Sequence, residues 1–142
     1  MIRTLAEIVG SPLLFLETGA RLLVLELALR KRPLPQVSRW LAMRPFRRER
    51  RLCRVLRFAG ILERRMLKDP SCLRSSLLCF WMAKPGSRFI VGVRRGEILP
   101  LEAHAWIESD GHAFSTAANY SEYQIIFEAN RRARLPAASA LG

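Results

Sequence analysis

The spacing of apolar residues changes about half-way along the chain, from a helical period to an alternating one. A helix is predicted to begin after Ser11-Pro12, because serine caps helices and proline suits their first turn. It ends where Pro33 and Pro35 prevent its continuation. A short helix over Ser38–Met43 and a longer one from Arg47 to Leu67 follow, so three helices are predicted before residue 69.

A fourth helix and a set of strands are predicted in the second half. Asp69-Pro70-Ser71 is a helix start signal and Pro85-Gly86 a stop signal, which together predict a helix over Cys72–Lys84. Beyond it, strands are predicted at Arg88–Arg94, Leu101–Ser109, His112–Ser115 and Tyr123–Phe127, with a hairpin turn at Asp110-Gly111. N-terminal helices followed by a Cys-bearing helix packed on an antiparallel sheet give an α+β fold.

The length of 142 residues favours a single domain over residues 1–142. Within it we predict an Arg-rich helical part over residues 1–68, a core with the sheet over 69–130 and a loose tail over 131–142. The chain holds 24 Lys or Arg against 12 Asp or Glu, a formal net charge of +12. Such an excess indicates the kind of partner that the protein binds, not its fold.

The basic residues are concentrated, since residues 30–68 contain 14 Lys or Arg against two Glu. One face of the predicted 47–67 helix carries the arginines at positions 50, 51, 54, 57, 64 and 65. We expect this face to dock an acidic partner. Such charge also suits phosphates, so a basic nucleic-acid-binding module is an open alternative. No helix-turn-helix, zinc-finger or aromatic RNA-binding signature accompanies it, and no specific nucleic-acid partner is predicted.

Two features bear on where the protein resides. Residues 12–29 are apolar for almost the length of a membrane span, but Glu17, Arg21 and Glu26 interrupt them. Each central charge would cost ~3 kcal/mol in a bilayer, so no membrane span is predicted. Three cysteines, an odd number, provide no disulfide framework and suit a reducing compartment. The protein is therefore predicted to be cytoplasmic.

The candidate chemistry lies in one cysteine and one histidine. Cys72 opens the fourth helix, where unpaired backbone N–H groups and the positive end of the helix dipole favour a thiolate. Cys53 and Cys79 fall on apolar helix faces and are predicted to be packing thiols. His104 is centred in the second strand, whereas His112 follows the turn and is a weaker candidate. No metal-ligand spacing and no Gly-rich phosphate loop is present, so neither a metal nor a cofactor is predicted.

A Cys that opens a helix, followed by strands with a His on the second, is the order found in transglutaminase-like sites. Residues 70–114 moreover resemble the lasso-peptide biosynthesis B proteins, which are transglutaminase-like cysteine proteases. The matching pieces are Ser71-Cys72-Leu73, the strand Phe89–Val93, and Ala103–Glu108 (AHAWIE) followed by Asp110-Gly111. The resemblance implies a papain/transglutaminase-like fold and a peptidase that removes the leader from a lasso-peptide precursor. The resemblance implies that Cys72 is the nucleophile and that His104 is its base.

The resemblance also implies partners, and the chain departs from the family pattern at one catalytic position. The partners are the precursor peptide, a separate leader-recognition protein and the ATP-dependent lasso cyclase. Such proteins carry a third catalytic group, an Asp about a dozen residues after the His, where this chain has Ser115-Thr116-Ala117. Asn119 is our first candidate for orienting His104 instead, and Glu108 the second. A thioester-forming acyltransferase stays open as an alternative, because hydrolysis and acyl transfer share the thioester.

Overall fold

The computed structural model describes residues 2–44, 51–67, 71–98, 100–114 and 120–131. It confirms the α+β class, with helices first and an antiparallel four-stranded sheet after them. The helices are α1 (Ile2–Gly10), α2 (Pro12–Lys31), α3 (Leu34–Ala42), α4 (Leu52–Leu62) and α5 (Cys72–Met82). A π-helical turn over Glu63–Leu67 continues α4.

The helix boundaries differ from the predicted ones in several places; α5, for example, ends at Met82 and not at Lys84. No start signal marked α1, and it was not predicted. Helix α3 begins at Leu34, not Ser38, because Pro35 falls in its first turn, where a missing N–H leaves no hydrogen bond broken. The predicted 47–67 helix is described from Leu52 onward, and its apolar face ends early. Met66, predicted on that face, is 49% exposed because the π-helical turn changes the direction of the side chains.

The sheet consists of β1 (Arg88–Arg94), β2 (Glu102–Ser109), β3 (His112–Phe114) and β4 (Gln124–Asn130), in the order β3-β2-β1-β4. The predicted hairpin turn is confirmed, with φ values of +54° at Asp110 and +73° at Gly111. Two positive φ angles are what a two-residue type I′ turn requires, and aspartate and glycine tolerate them. Strand β4 begins one residue later and ends three residues later than predicted.

One face of the sheet packs against the helices. The ring of Phe89 in β1 lies 6.0 Å from that of Phe80 in α5, and Ile107 of β2 pairs with Phe89 across the sheet. All three are fully buried, and burial stabilises each by about 1.5–3 kcal/mol. Because side chains alternate along a strand, the even-numbered residues of β1 and β2 lie on the face away from α5.

Arg131 was predicted to open a loose tail, and that prediction is wrong for this residue. It is 2% exposed. Its Nη1 donates to the carbonyls of Leu41 at 3.2 Å and Phe80 at 2.9 Å, and its Nη2 donates to that of Arg44 at 3.0 Å. The last carbonyls of a helix have no partner within the helix and form its negative end. Arg131 thus binds the C-terminal ends of α3 and α5 together, whereas residues 132–142 lie outside the described part.

Replacing Arg131 with methionine is expected to destabilise the protein by about 2–4 kcal/mol, because the buried carbonyl oxygens then lose their hydrogen-bond donor. Urea denaturation followed by circular dichroism measures the change. The matched control is Arg64→Met, an exposed arginine in the π-helical turn, with an expected change within about 0.5 kcal/mol. Equal stability of the Arg131→Met variant and the wild type would show that the guanidinium contacts contribute nothing.

Candidate active site

Cys72 is the first residue of α5, as the sequence predicts. Ser71 is the N-cap residue, and its Oγ accepts a hydrogen bond from the Arg74 backbone N–H at 3.5 Å. The Cys72 side chain is partly buried and packs against the hydrophobic core. A side chain at this position lies beside the unpaired N–H groups of the first helical turn, which favour negative charge there.

A buried carboxylate, that of Glu63, fixes the same helical turn. Its Oε2 accepts hydrogen bonds from the Ser71 N–H at 2.9 Å and from the Ser75 hydroxyl at 3.3 Å. Its Oε1 accepts one from Arg74 Nε at 3.2 Å. Because Glu63 opens the π-helical turn, these bonds tie the end of α4 to residues immediately before and after Cys72.

The network reaches α2 through Arg74, whose Nη1 donates to Glu26 Oε2 at 3.0 Å. Sequence analysis missed both Glu63 and Arg74, although one signal was present. Glu63 lies four residues after Ala59, on the predicted apolar face of its helix. A carboxylate on an apolar face requires a charged or hydrogen-bonding partner, and here Arg74 provides it.

His104 lies in the middle of β2, opposite Gly92 of β1. Its ring stacks with Trp106 at a centroid distance of 6.3 Å and lies 5.8 Å from the ring of Tyr123. Gly92 makes room for this cluster, because a Cβ there would lie 2.8 Å from the Tyr123 Cβ and 2.9 Å from the Trp106 ring. His104 is therefore a partly buried imidazole packed among aromatic rings.

One hydrogen bond joins the two elements that carry Cys72 and His104. Ser76, one helical turn after Cys72, donates through its Oγ to the carbonyl of Ala105 at 2.9 Å, and Ala105 adjoins His104. Ala105 belongs to the core that α5 covers, so alternation along β2 directs the His104 side chain to the opposite face. The structure thus brings the two backbones to one region of the sheet and places the imidazole on the far face of β2.

Burial lowers the pKa of His104, and the positive charge of Arg94 lowers it further. Arg94 is held near by ion pairs with Glu102 at 3.0 Å and Glu122 at 2.8 Å, and its guanidinium lies 4.8 Å from the ring centroid of Tyr123. A lowered pKa keeps the imidazole neutral at pH 7, which is the form that accepts a proton.

Replacing Arg94 with glutamine is expected to raise the pKa of His104, because the variant no longer opposes a positive charge on the imidazole. An NMR titration of the imidazole protons measures it, and a His112→Gln variant assigns the two histidine signals. The matched control is Arg88→Gln, because Arg88 also sits on β1 between two glutamates, Glu108 and Glu128. An unchanged His104 pKa in the Arg94→Gln variant would contradict the expectation.

The other two thiols differ from each other. Cys79 is fully buried, with its Sγ 3.9 Å from the carbonyl oxygen of Leu52, and burial raises the pKa of its thiol, with a smaller contribution from Cys53. It is a packing thiol, as predicted. Cys53 was predicted to pack as well, but it is exposed, because Leu52 and Val55 form the buried side of α4.

Cys53 and His112 line the same cavity, of about 570 Å³, between the beginning of α4 and the β2–β3 hairpin. Asp110 lines it too, and its carboxylate pairs with Lys84. His112 is exposed, as predicted. Cys53 is therefore an accessible second thiol, which any labelling of Cys72 has to take into account.

The two candidates for the third catalytic group have different positions. Asn119 lies outside the described residues. Glu108, the second candidate, forms an ion pair with Arg88. Arg88 also binds Glu128 at 3.0 Å, so the Glu108 carboxylate belongs to an ion-pair cluster on the far face of the sheet.

Among the residues that the structure describes, no group of three or more His, Cys, Asp or Glu side chains is arranged to hold a metal ion. None of the helices described above combines the length and the apolar character that crossing a membrane demands.

Comparison with known protein families identifies the superfamily. The family model described as the transglutaminase-like superfamily matches residues 13–128. The matched range contains Cys72 and His104 and extends from α2 to β4. No curated protein and no solved structure matches the chain significantly.

Proposed function

This chain belongs to the transglutaminase-like superfamily, and from that premise we propose that it removes the leader peptide from a lasso-peptide precursor. Membership supports cysteine-protease or acyltransferase chemistry, in which a thiolate attacks an acyl carbon. The finer assignment rests on the resemblance of residues 70–114 to leader peptidases. We further propose that the protein acts in the cytoplasm, on a precursor that a separate leader-recognition protein presents, and that the ATP-dependent lasso cyclase uses the freed core.

The observation that carries the proposal is the arrangement around the first turn of α5. Cys72 opens an eleven-residue helix whose first turn is fixed by the buried Glu63, and the Ser76–Ala105 hydrogen bond ties this turn to the strand that carries His104. A nucleophile has to be held firmly in position for the reaction to be fast. This arrangement supports that role for Cys72.

The proposed reaction has two stages. His104 takes the proton of the Cys72 thiol, and the thiolate attacks the scissile carbonyl of the precursor. His104 returns the proton to the leaving amine of the core, and water then hydrolyses the thioester to release the leader. Because the imidazole lies on the far face of β2, the proposed proton transfer requires a local backbone rearrangement of β2 that turns His104 towards Cys72 in the substrate complex. Asn119 is our proposed orienting group for it.

The experiment that tests the proposal uses the full chain, the precursor peptide and the leader-recognition protein, with fragments followed by mass spectrometry. The expected products are the intact core with a free amine and the leader with a free carboxylate. A parallel reaction contains hydroxylamine, which competes with water for a thioester. If the leader is transferred to an added primary amine, and no hydrolysis occurs when that amine is left out, the protein is an acyltransferase. If no precursor is cleaved, the peptidase proposal is wrong.

A further inference from the structure

One side of α2 is apolar and faces solvent. The residues of this surface, which we call the α2 stripe, are Leu13, Leu16, Leu23, Val24 and Leu27, with exposures from 43% to 80%. They lie on one side of a helix of 20 residues, which is about 30 Å long, with the exposed Ala20 between Leu16 and Leu23. A contiguous apolar surface of this length that is exposed to solvent usually marks an interaction site.

The α2 stripe leads into a groove. Between the end of α2 and α3 lies a cavity of about 310 Å³, whose apolar lining includes Leu27, Val37 and Trp40. Trp40 is held by Trp81, at a ring-centroid distance of 5.5 Å, and by Arg44, whose guanidinium lies 4.2 Å from the Trp40 ring. A preorganised tryptophan beside an apolar hollow is typical of a position where a partner inserts a side chain.

The surroundings of the groove carry one sign of charge. Lys31 and Arg32 line it directly. Between residues 27 and 44 the chain has five Lys or Arg and no Asp or Glu. Of these five, Arg30 pairs with Glu26 at 3.0 Å, so part of the charge is already balanced. The charge at Lys31 and Arg32 favours an acidic occupant.

We propose that the α2 stripe and its groove bind an acidic amphipathic helix of a partner protein. One apolar side chain of that helix fills the hollow beside Trp40, further apolar residues at helical spacing lie along the α2 stripe, and carboxylates face Lys31 and Arg32. A concave hollow suits an inserted side chain, which the surface of a lipid bilayer does not provide. A second copy of this chain would bring its net charge of +12 against an equal charge. The inference is independent of the chemistry at Cys72.

The test measures binding of a fluorescein-labelled synthetic peptide by fluorescence anisotropy. The peptide is a helix of about 18 residues with leucines at positions i, i+3, i+4 and i+7 and glutamates on its other face. Its counterpart has lysine for every glutamate. We expect the acidic peptide to bind at least about ten-fold more tightly than the basic one, and to weaken as salt shortens the Debye length from ~10 Å to ~3 Å.

Two pairs of variants locate the site. Leu27→Asp is expected to weaken binding at least about ten-fold, whereas Ile98→Asp, at another exposed apolar residue, leaves it unchanged. Lys31→Glu weakens binding, whereas Arg95→Glu, at an exposed arginine just after β1, has the same net charge but little effect. The altered positions are all exposed, so the variants are expected to fold.

Several results would overturn the inference. They are no binding of the acidic peptide at about 100 µM protein, equal weakening by both charge-reversal variants, or equal affinity for both peptides. Binding to phosphatidylglycerol vesicles that Leu27→Asp abolishes, without peptide binding, would make the surface a lipid-binding one. Concentration-dependent dimers in sedimentation velocity that Leu27→Asp abolishes would make it a self-association face.

Discussion

Replacing Cys72 with alanine is expected to slow leader removal by at least about 10³-fold, because no other side chain can then form the thioester with the precursor. The first turn of α5 retains its Ser71 cap and its bonds to Glu63, so the variant folds normally. Mass spectrometry of the precursor after incubation with the leader-recognition protein measures the loss.

The control variants are Cys53→Ala and Cys79→Ala. Cys53 is exposed and Cys79 is buried beside Leu52, so the first variant changes little and the second loses some stability through a small cavity. Both are expected to cleave the precursor. Because Cys53 is accessible, iodoacetamide labelling of the nucleophile is measured in the Cys53→Ala background. Undiminished cleavage by the Cys72→Ala variant would show that another residue is the nucleophile.

The second large effect is expected at Glu63, where alanine should destabilise the protein by about 3–5 kcal/mol. The variant removes the acceptor of three hydrogen bonds, those from the Ser71 N–H, the Ser75 hydroxyl and Arg74. It also leaves the guanidinium of Arg74, whose side chain is 14% exposed, with fewer partners in a buried place. Folded domains are stable by only about 5–15 kcal/mol, so the midpoint of urea denaturation falls sharply.

A matched control separates burial from charge. Glu17 forms an ion pair with Arg21 on the surface of α2 at 2.8 Å, and Glu17→Ala is expected to change the free energy of unfolding by less than about 1 kcal/mol. Glu63→Gln keeps an acceptor oxygen and should lie between the wild type and Glu63→Ala. If Glu63→Ala unfolds at the same urea concentration as Glu17→Ala, the buried network does not stabilise the fold.

Local signals in the sequence were enough for much of the fold. The bounds of β1, Arg88–Arg94, were predicted residue for residue, and Ser11-Pro12 and Ser71 were identified as helix starts. Each of these depends on a few neighbouring residues: a cap, a proline or an apolar run. Position 72 at the beginning of a helix was predictable for the same reason.

The features that were missed depend on residues far apart in the sequence. Alternation along β2 shows which residues share a face with His104, but not which face meets α5, because that depends on how the helix packs. The exposure of Cys53 depends on which side of α4 is covered. The partners of Glu63 lie beyond a loop, and Arg131 binds carbonyls 51, 87 and 90 residues away.

Those separations have a kinetic consequence for Arg131. Its three hydrogen bonds can form only after α3, α5 and β4 have come together, since it binds the ends of both helices and directly follows the strand. Contacts between distant residues that close after the rest of the fold are absent from the folding transition state. We therefore expect Arg131→Met to act mainly on the unfolding rate, shortening the lifetime of the native state while the refolding rate stays nearly the same.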